Sequence, residues 1–140
     1  MAYKKILLPV DGSDPSLRAA THASEIASKF RAEILLLHCQ LAFPYAREGG
    51  VYAEVSRRMQ ELADELLEPY RVMLDDAGIS YSDRVLEGRP VDLIAEVAHI
   101  EKIDLIVMGS RGHSEIEGFF LGSATHRVLY RAECPVLVIR

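Results

Sequence analysis

Short, almost continuously apolar runs alternate along the chain with longer segments whose apolar residues recur at helical spacing. Continuous apolar runs are typical of parallel strands that helices cover on both faces. A fifth run, Tyr81 to Leu86, alternates more and contains Arg84, which predicts a less buried edge strand. The four continuous runs are Tyr3 to Val10, Glu33 to Gln40, Ile103 to Met108 and Pro135 to Ile139.

Four amphipathic segments separate these runs and predict helices. The first spans Pro15 to Phe30, with Ser13 or Asp14 as its N-cap. The second covers residues 53 to 77, and Pro69 is expected to kink or divide it. The third begins near Pro90 and the fourth after Ser123. The second is expected to bury Val55, Met59, Leu62, Leu66, Tyr70, Met73 and Ala77, and the third Val91, Ile94, Val97 and Ala98.

The alternation β-α-β-α-β-α-β-α-β predicts a single α/β domain over residues 1–140. Its core is expected to be one open, parallel, five-stranded sheet with right-handed crossovers and helices on both faces. A chain of 140 residues is long enough to bury such a core without disulfides or metals. The loop from Leu41 to Tyr52 is predicted to be either a lid or a surface excursion.

Charge and cysteine content narrow the classes of partner. A net charge of -5 disfavours a nucleic-acid or anionic-membrane surface. Cys39 and Cys134 lack CxxC spacing, and no His or Cys pattern indicates a metal site, so both cysteines are expected to be reduced thiols. No signal peptide is recognisable, and no apolar run approaches the ~20 residues of a membrane span. We therefore expect a cytoplasmic protein.

A glycine-rich segment follows the fourth predicted strand: Gly109-Ser110-Arg111-Gly112 comes directly after Met108. Nine residues separate Gly112 from Gly122-Ser123, where the fourth helix is predicted to start. Helix N-termini bind anions. If the first strand is its neighbour, Pro9-Val10-Asp11-Gly12-Ser13 ends at the same crevice, where Asp11 is suited to ribose hydroxyls. Neither the G-x-x-x-x-G-K-[ST] phosphate loop nor the G-x-G-x-x-G fingerprint is present. Two alternatives therefore remain open: Gly109 and Gly112 as simple turn residues, and Asp11-Gly12-Ser13 as a plain N-cap.

The spacing G-x2-G-x9-G-[ST], formed by Gly109, Gly112, Gly122 and Ser123, resembles the ATP-binding signature of the universal stress protein family. The similarity extends over the whole chain. Further matching stretches are Lys5 to Ser13, Leu35 to Cys39, Gly88 to Pro90, Asp104 to Ser110 and Cys134 to Val138.

This resemblance implies a Rossmann-like or flavodoxin-like sheet with strand order 3-2-1-4-5. It also implies a homodimer paired through the last strand, Val136 to Ile139, which would cover an apolar edge. The intact glycine motif favours the ATP-binding branch. The resemblance assigns adenine and ribose contacts to Pro9, Val10, Asp11, Cys39, Met108 and Gly109, and triphosphate contacts to Gly112, Gly122, Ser123, Ala124 and Thr125.

Charged residues near the proposed phosphates are less specific. Arg111 and Arg127 are each either a phosphate partner or a solvated side chain, and His113 and His126 lie nearby. Magnesium, if bound, would arrive with ATP and be held mainly by phosphate and water.

The sequence contains no convincing nucleophile or general base, so the leading interpretation is a nucleotide-responsive regulatory or stress-response protein and at most a slow ATPase. The alternative is a nucleotide-free interaction module that acts through its dimer surface. An ATP pyrophosphatase would need a different loop after the first strand, and a flavin carrier fits the glycine spacing less well.

Overall fold

A computed structural model describes residues 2–41, 50–111 and 122–140 and contains nine helices and strands in those ranges. Every predicted element is present, with bounds close to those expected. In chain order they are β1 (Lys5–Pro9), α1 (Asp14–Phe30), β2 (Glu33–Gln40), α2 (Gly50–Asp76), β3 (Tyr81–Glu87), α3 (Pro90–Ile100), β4 (Leu105–Gly109), α4 (Ser123–Arg131) and β5 (Val136–Ile139).

The five strands form one parallel sheet in the order β3-β2-β1-β4-β5, which confirms the expected α/β fold. The central strand β1 pairs with β2 on one side, where Leu7 lies opposite Leu35, and with β4 on the other, where Leu7 lies opposite Ile106. The chain order therefore reverses between β1 and β4. In open α/β sheets, the crevice at such a reversal is where ligands bind.

Alternate residues of the central strands supply two separate cores, one on each face of the sheet. Ile6 and Leu8 pack under α1 and α2, whereas Leu7 packs under α3 and α4. Both faces are therefore covered by helices, which explains why the central strands are apolar at consecutive positions. By contrast, β3 is only partly buried, as expected for an edge strand.

Helix α1 begins where its sequence predicts. Ser13 is the N-cap, and its side chain accepts a hydrogen bond from the Ser16 backbone N–H at 3.3 Å. Pro15 occupies the first turn, where no intrahelical N–H is needed. The helix ends at Arg31 in a left-handed conformation.

Two expectations for α2 are met only in part. Pro69 does not divide this helix, which runs unbroken from Gly50 to Asp76. The buried face consists of Ala63, Leu67, Tyr70 and Leu74, so it is partly rotated from the predicted stripe. Tyr70 belongs to both, Leu66 and Met73 pack against the core, and Leu62 is 42% exposed. Burial on both sides of Pro69 holds the two halves of α2 together, which offsets the hydrogen bond lost at proline.

The third helix buries Val91, Ile94, Val97 and Ala98, as predicted. Of the expected loop from Leu41 to Tyr52, residues 42–49 lie outside the described part, and residues 50–52 belong to α2. Within the described ranges, no helix combines the length and apolar character required to cross a membrane.

Candidate functional site

A cleft of about 520 Å³ opens at the carboxyl ends of β1 and β4. This volume lies in the range of small-molecule sites, roughly 300–1,000 Å³. The predicted site residues that the structure describes all line it: Pro9, Val10, Asp11, Cys39, Met108, Gly109, Arg111, Gly122, Ser123, Ala124 and Thr125. Gly112, the remaining predicted residue, lies outside the described part of the chain.

Five lining residues were not predicted: Ser16, Leu37, Leu41, Pro90 and Ile94. Leu37 and Ile94 make part of the wall apolar, as a base-sized aromatic ligand requires. The sequence pattern could have identified Pro90 and Ile94. Parallel strands end at one edge of the sheet, and α3 starts at that edge at Pro90. The helical face that carries Ile94 was assigned only to the core.

The loop after β1 forms a hydrogen-bonded turn that leads into α1. The Asp11 carboxylate accepts hydrogen bonds from the Ser13 backbone N–H at 2.9 Å and the Ser13 hydroxyl at 2.5 Å. Gly12 lies at φ +83°, a left-handed conformation that suits glycine. The N-cap alternative for this tripeptide is therefore confirmed, and Asp11 lines the cleft as well.

The end of β1 is held from the neighbouring strand. The Val10 N–H donates to the Leu37 carbonyl at 2.8 Å, and His38 donates its Nδ1–H to the Val10 carbonyl at 2.9 Å. Because a carbonyl only accepts, this contact requires the proton on Nδ1. His38 is thus a structural histidine that fixes the entry to the Asp11 loop.

The opposite wall is formed by the end of β4 and the start of α4. Thr125 donates its hydroxyl to the Gly109 carbonyl at 2.9 Å in a buried position. The Gly122 N–H donates to the Ser110 carbonyl at 2.7 Å, and the Ser110 N–H to the Ile139 carbonyl at 2.6 Å. These bonds bring Ser110 and Gly122 together beside the cleft.

The N-terminus of α4 has features of an anion site. Its N-cap is Gly122, which offers no side-chain hydrogen bond, and its first turn contains no acidic residue. The first backbone N–H groups of a helix have no intrahelical partner, and here the His126 N–H is bonded to the Gly122 carbonyl. The helix dipole adds a partial positive charge at this end, which favours a bound anion.

Gly109 lines the cleft and also packs closely against α1. A Cβ at this position would lie 3.0 Å from Pro15 and from the Ser16 backbone nitrogen. The strand end and the first turn of α1 therefore approach so closely that a side chain at this position would require α1 to shift by a few tenths of an ångström.

The nearby charges differ in position. Arg111 lines the cleft, whereas Arg127 is exposed and outside it. The His126 ring packs edge-on against Tyr130, with ring centroids 5.3 Å apart. His113 lies outside the described residues, and the described ones contain no cluster of His, Cys, Asp or Glu suited to a metal ion.

Cys39 lines the cleft and carries a free thiol. Burial raises its pKa to about 11, so the thiol is neutral at physiological pH. Because the folded-state pKa lies above the ordinary value of 9.0, this group favours the folded state below pH 9, and that contribution is lost as pH rises towards 11.

We expect Cys39 alkylation by iodoacetamide to be slow at pH 7.5 and to accelerate up to about pH 11, since the thiolate is the nucleophile. Mass spectrometry of the peptide that contains Cys39 measures the rate at each pH. Fast alkylation at pH 7.5, with a midpoint near that of a free thiol, would contradict this buried environment.

A sequence profile of the universal stress protein family matches residues 2–140. A universal stress protein of Methanocaldococcus jannaschii, MJ0531, is 39% identical over 140 residues, which cover 99% of this chain and 82% of that protein.

Solved structures agree with this match. The M. jannaschii protein MJ0577 has a TM-score of 0.88 at 30% identity, covering 99% of this chain and 96% of its own. A universal stress protein in complex with cAMP has a TM-score of 0.73 at 30% identity, covering 100% and 98%. An Arabidopsis thaliana family protein with AMP bound has a TM-score of 0.71 at 25% identity, covering 97% and 90%. The chain belongs to the universal stress protein family.

Proposed function

We propose that this protein binds ATP in the cleft between β1 and β4 and acts as a nucleotide-responsive regulatory or stress-response protein. The observation that carries the proposal is the convergence of Asp11 with the N-terminus of α4 on one cleft. A carboxylate suits the hydroxyls of a sugar, and a helix N-terminus whose N-cap is glycine suits phosphate. The cAMP and AMP complexes of family members support an adenine nucleotide as the class of ligand.

Each part of the nucleotide has matching chemistry in the proposed site. The adenine would lie against the apolar wall that includes Leu37, Cys39 and Met108. The ribose would face Asp11, and the triphosphate would face the first turn of α4, with Gly112 and Arg111 nearby in the motif. Magnesium, if it binds, would be held by the phosphates and water, because the described residues provide no ligand cluster.

Turnover is proposed to be slow at most. Asp11 already accepts two hydrogen bonds from Ser13, which suits a residue that orients a ligand better than one that activates water. The described residues around the cleft offer no histidine as a general base. ATP would then be a ligand whose presence changes the state of the protein.

A homodimer through β5 is part of the same proposal. The four residues of β5, Val136 to Ile139, are apolar yet only partly buried, and this strand is at an edge of the sheet. An apolar edge strand invites pairing with another strand. Pairing of two copies along this edge would cover it. Sedimentation analysis of the purified protein distinguishes a dimer from a monomer.

We expect ATP at 100 times its dissociation constant to stabilise the folded protein by about 2.7 kcal/mol, because a ligand that binds only the folded state shifts the equilibrium towards it. For a chain of this size the melting temperature should rise by about 8 °C. Differential scanning fluorimetry with ATP, adenosine and inorganic phosphate measures the shift, and the last two ligands should give smaller ones.

Mass analysis of nucleotide released from freshly purified, denatured protein is the direct companion experiment. Adenine nucleotide in stoichiometric amount would support the proposal. Protein that carries no nucleotide and shows the same melting temperature with and without ATP would instead favour the interaction module that works without nucleotide.

A further inference from the structure

A pair of buried hydroxyls lies beneath the loop that carries Asp11. Tyr70 on α2 is fully buried, Ser16 in the first turn of α1 is buried, and their hydroxyl oxygens are 2.8 Å apart. The Gly12 N–H donates to the Tyr70 hydroxyl at 3.1 Å, and the Asp11 N–H donates to the Ser16 hydroxyl at 3.2 Å. Two successive peptide N–H groups of the loop are therefore held by one hydroxyl pair.

The Tyr70 hydroxyl forms hydrogen bonds with Gly12 and Ser16 that phenylalanine could not form. A buried tyrosine hydroxyl needs hydrogen-bond partners, and phenylalanine would fill the same apolar space without them. Gly12 adopts φ +83°, and in this conformation its N–H meets the phenol oxygen. Burial raises the pKa of Tyr70, so the phenol is neutral at physiological pH and both partners of the pair remain hydroxyls.

Tyr70 acts on the cleft from a helix that does not line it. No residue of α2, all of which is described, contributes to the wall. The path from Tyr70 to the cleft runs through Gly12 and Ser16 to Asp11, whose carboxylate is in turn oriented by Ser13. Loss of the phenol oxygen would release one of the two N–H anchors of this turn.

We propose that Tyr70 is a positioning residue for sugar recognition: by fixing the turn at Gly12, it sets the direction in which Asp11 presents its carboxylate to ribose hydroxyls. The inference rests on the proposed function, in which Asp11 contacts the ribose. Tyr70 would thus give α2 a role in ligand selectivity, although α2 is part of neither the glycine motif nor the cleft wall.

The test measures AMP and 2′,3′-dideoxy-AMP affinity by titration calorimetry for wild type and Tyr70→Phe. We expect AMP binding to weaken about ten-fold in Tyr70→Phe, while dideoxy-AMP binding changes less than two-fold, because that ligand lacks the hydroxyls that Asp11 would hold. Tyr81→Phe is the matched control, since the Tyr81 hydroxyl meets the exposed Asp75 carboxylate at 3.4 Å, away from the cleft.

A purely structural role predicts a different result, namely equal weakening for both ligands together with a lower melting temperature. Equal weakening, or no weakening, in Tyr70→Phe would overturn the proposal. Ser16→Ala provides a second route to the same loss, because it removes the anchor of the Asp11 N–H.

Amide hydrogen exchange rates at Asp11 and Gly12 test the role of Tyr70 without nucleotide, and therefore independently of the proposed function. Tyr70→Phe should speed exchange at Gly12 several-fold more than at residues of β5. If wild type bound neither AMP nor ATP, the proposed function would fail, and unchanged exchange at Gly12 would overturn the role of Tyr70 independently of any nucleotide.

Discussion

Replacement of Ser123 by aspartate is expected to weaken ATP binding about 100-fold while leaving the folded protein as stable as wild type or slightly more so. Ser123 is the first residue of α4, lines the cleft and is exposed. A carboxylate there would lie beside the proposed phosphate position. Two like charges about 4 Å apart repel by about 4 kcal/mol at an effective dielectric constant of 20, and ~2.7 kcal/mol already corresponds to 100-fold.

Ser123→Asp should increase the free energy of unfolding even though it weakens ATP binding. The first turn of α4 contains no acidic residue, so its N-terminus lacks the favourable interaction that aspartate or glutamate makes with the helix dipole. An aspartate in this turn should add about 0.3–1 kcal/mol to the free energy of unfolding. Urea unfolding without nucleotide measures this gain, and calorimetric titration measures the loss of affinity.

Asparagine at the same position is the matched control, because it has nearly the shape of aspartate without the charge. Ser123→Asn should retain ATP affinity within several-fold. The penalty of Ser123→Asp should grow from adenosine to AMP to ATP and should shrink at high salt, where charges are screened. An equal loss for adenosine and ATP would contradict a phosphate position at the start of α4.

Gly109→Ala is expected to lower the free energy of unfolding by about 2 kcal/mol, the cost of overpacking a rigid contact. The added Cβ would lie 3.0 Å from Pro15 and from the Ser16 backbone nitrogen. These are atoms of the first turn of α1, which has no flexible end that can move aside. The displaced turn includes Ser16, so ATP affinity should fall as well.

Gly50→Ala is the corresponding control for that substitution. Among the described residues, a Cβ at Gly50 meets no atom within 4 Å, and alanine is a better helix former than glycine. This variant should be as stable as wild type or slightly more stable. Urea midpoints of the two variants provide the comparison, and a Gly109→Ala protein of unchanged midpoint would show that α1 can shift without cost.

Much of the fold was predictable because each element carries its own local signal. The β2 bounds, the Ser13 cap and the buried face of α3 follow from patterns inside one segment. The strand order came from the family resemblance, since periodicity alone does not say which parallel strands are neighbours. The residues Asp11 and Gly109 were found because strand ends and glycine motifs are visible in the sequence.

Other features depend on contacts between distant segments. The rotation of α2, with Leu67 and Leu74 buried and Leu62 exposed, depends on how this helix docks on the sheet. The Tyr70–Ser16 pair joins residues 54 positions apart, and Tyr70 was expected only as a core residue. Apolar periodicity identifies that a side chain is buried, but it carries no information on which polar atom that side chain meets.

The pairing of β1 with β4 has a consequence for how this chain folds. The Asp104 carboxylate accepts the backbone N–H groups of Lys4 and Lys5, which are 100 and 99 positions away. One wall of the cleft thus comes from the beginning of the chain and the other from its last third. During synthesis, the early wall must wait until β4 has emerged, and closure of so long a loop is slow. The nucleotide proposed for this cleft would therefore bind only chains in which β1 has already paired with β4.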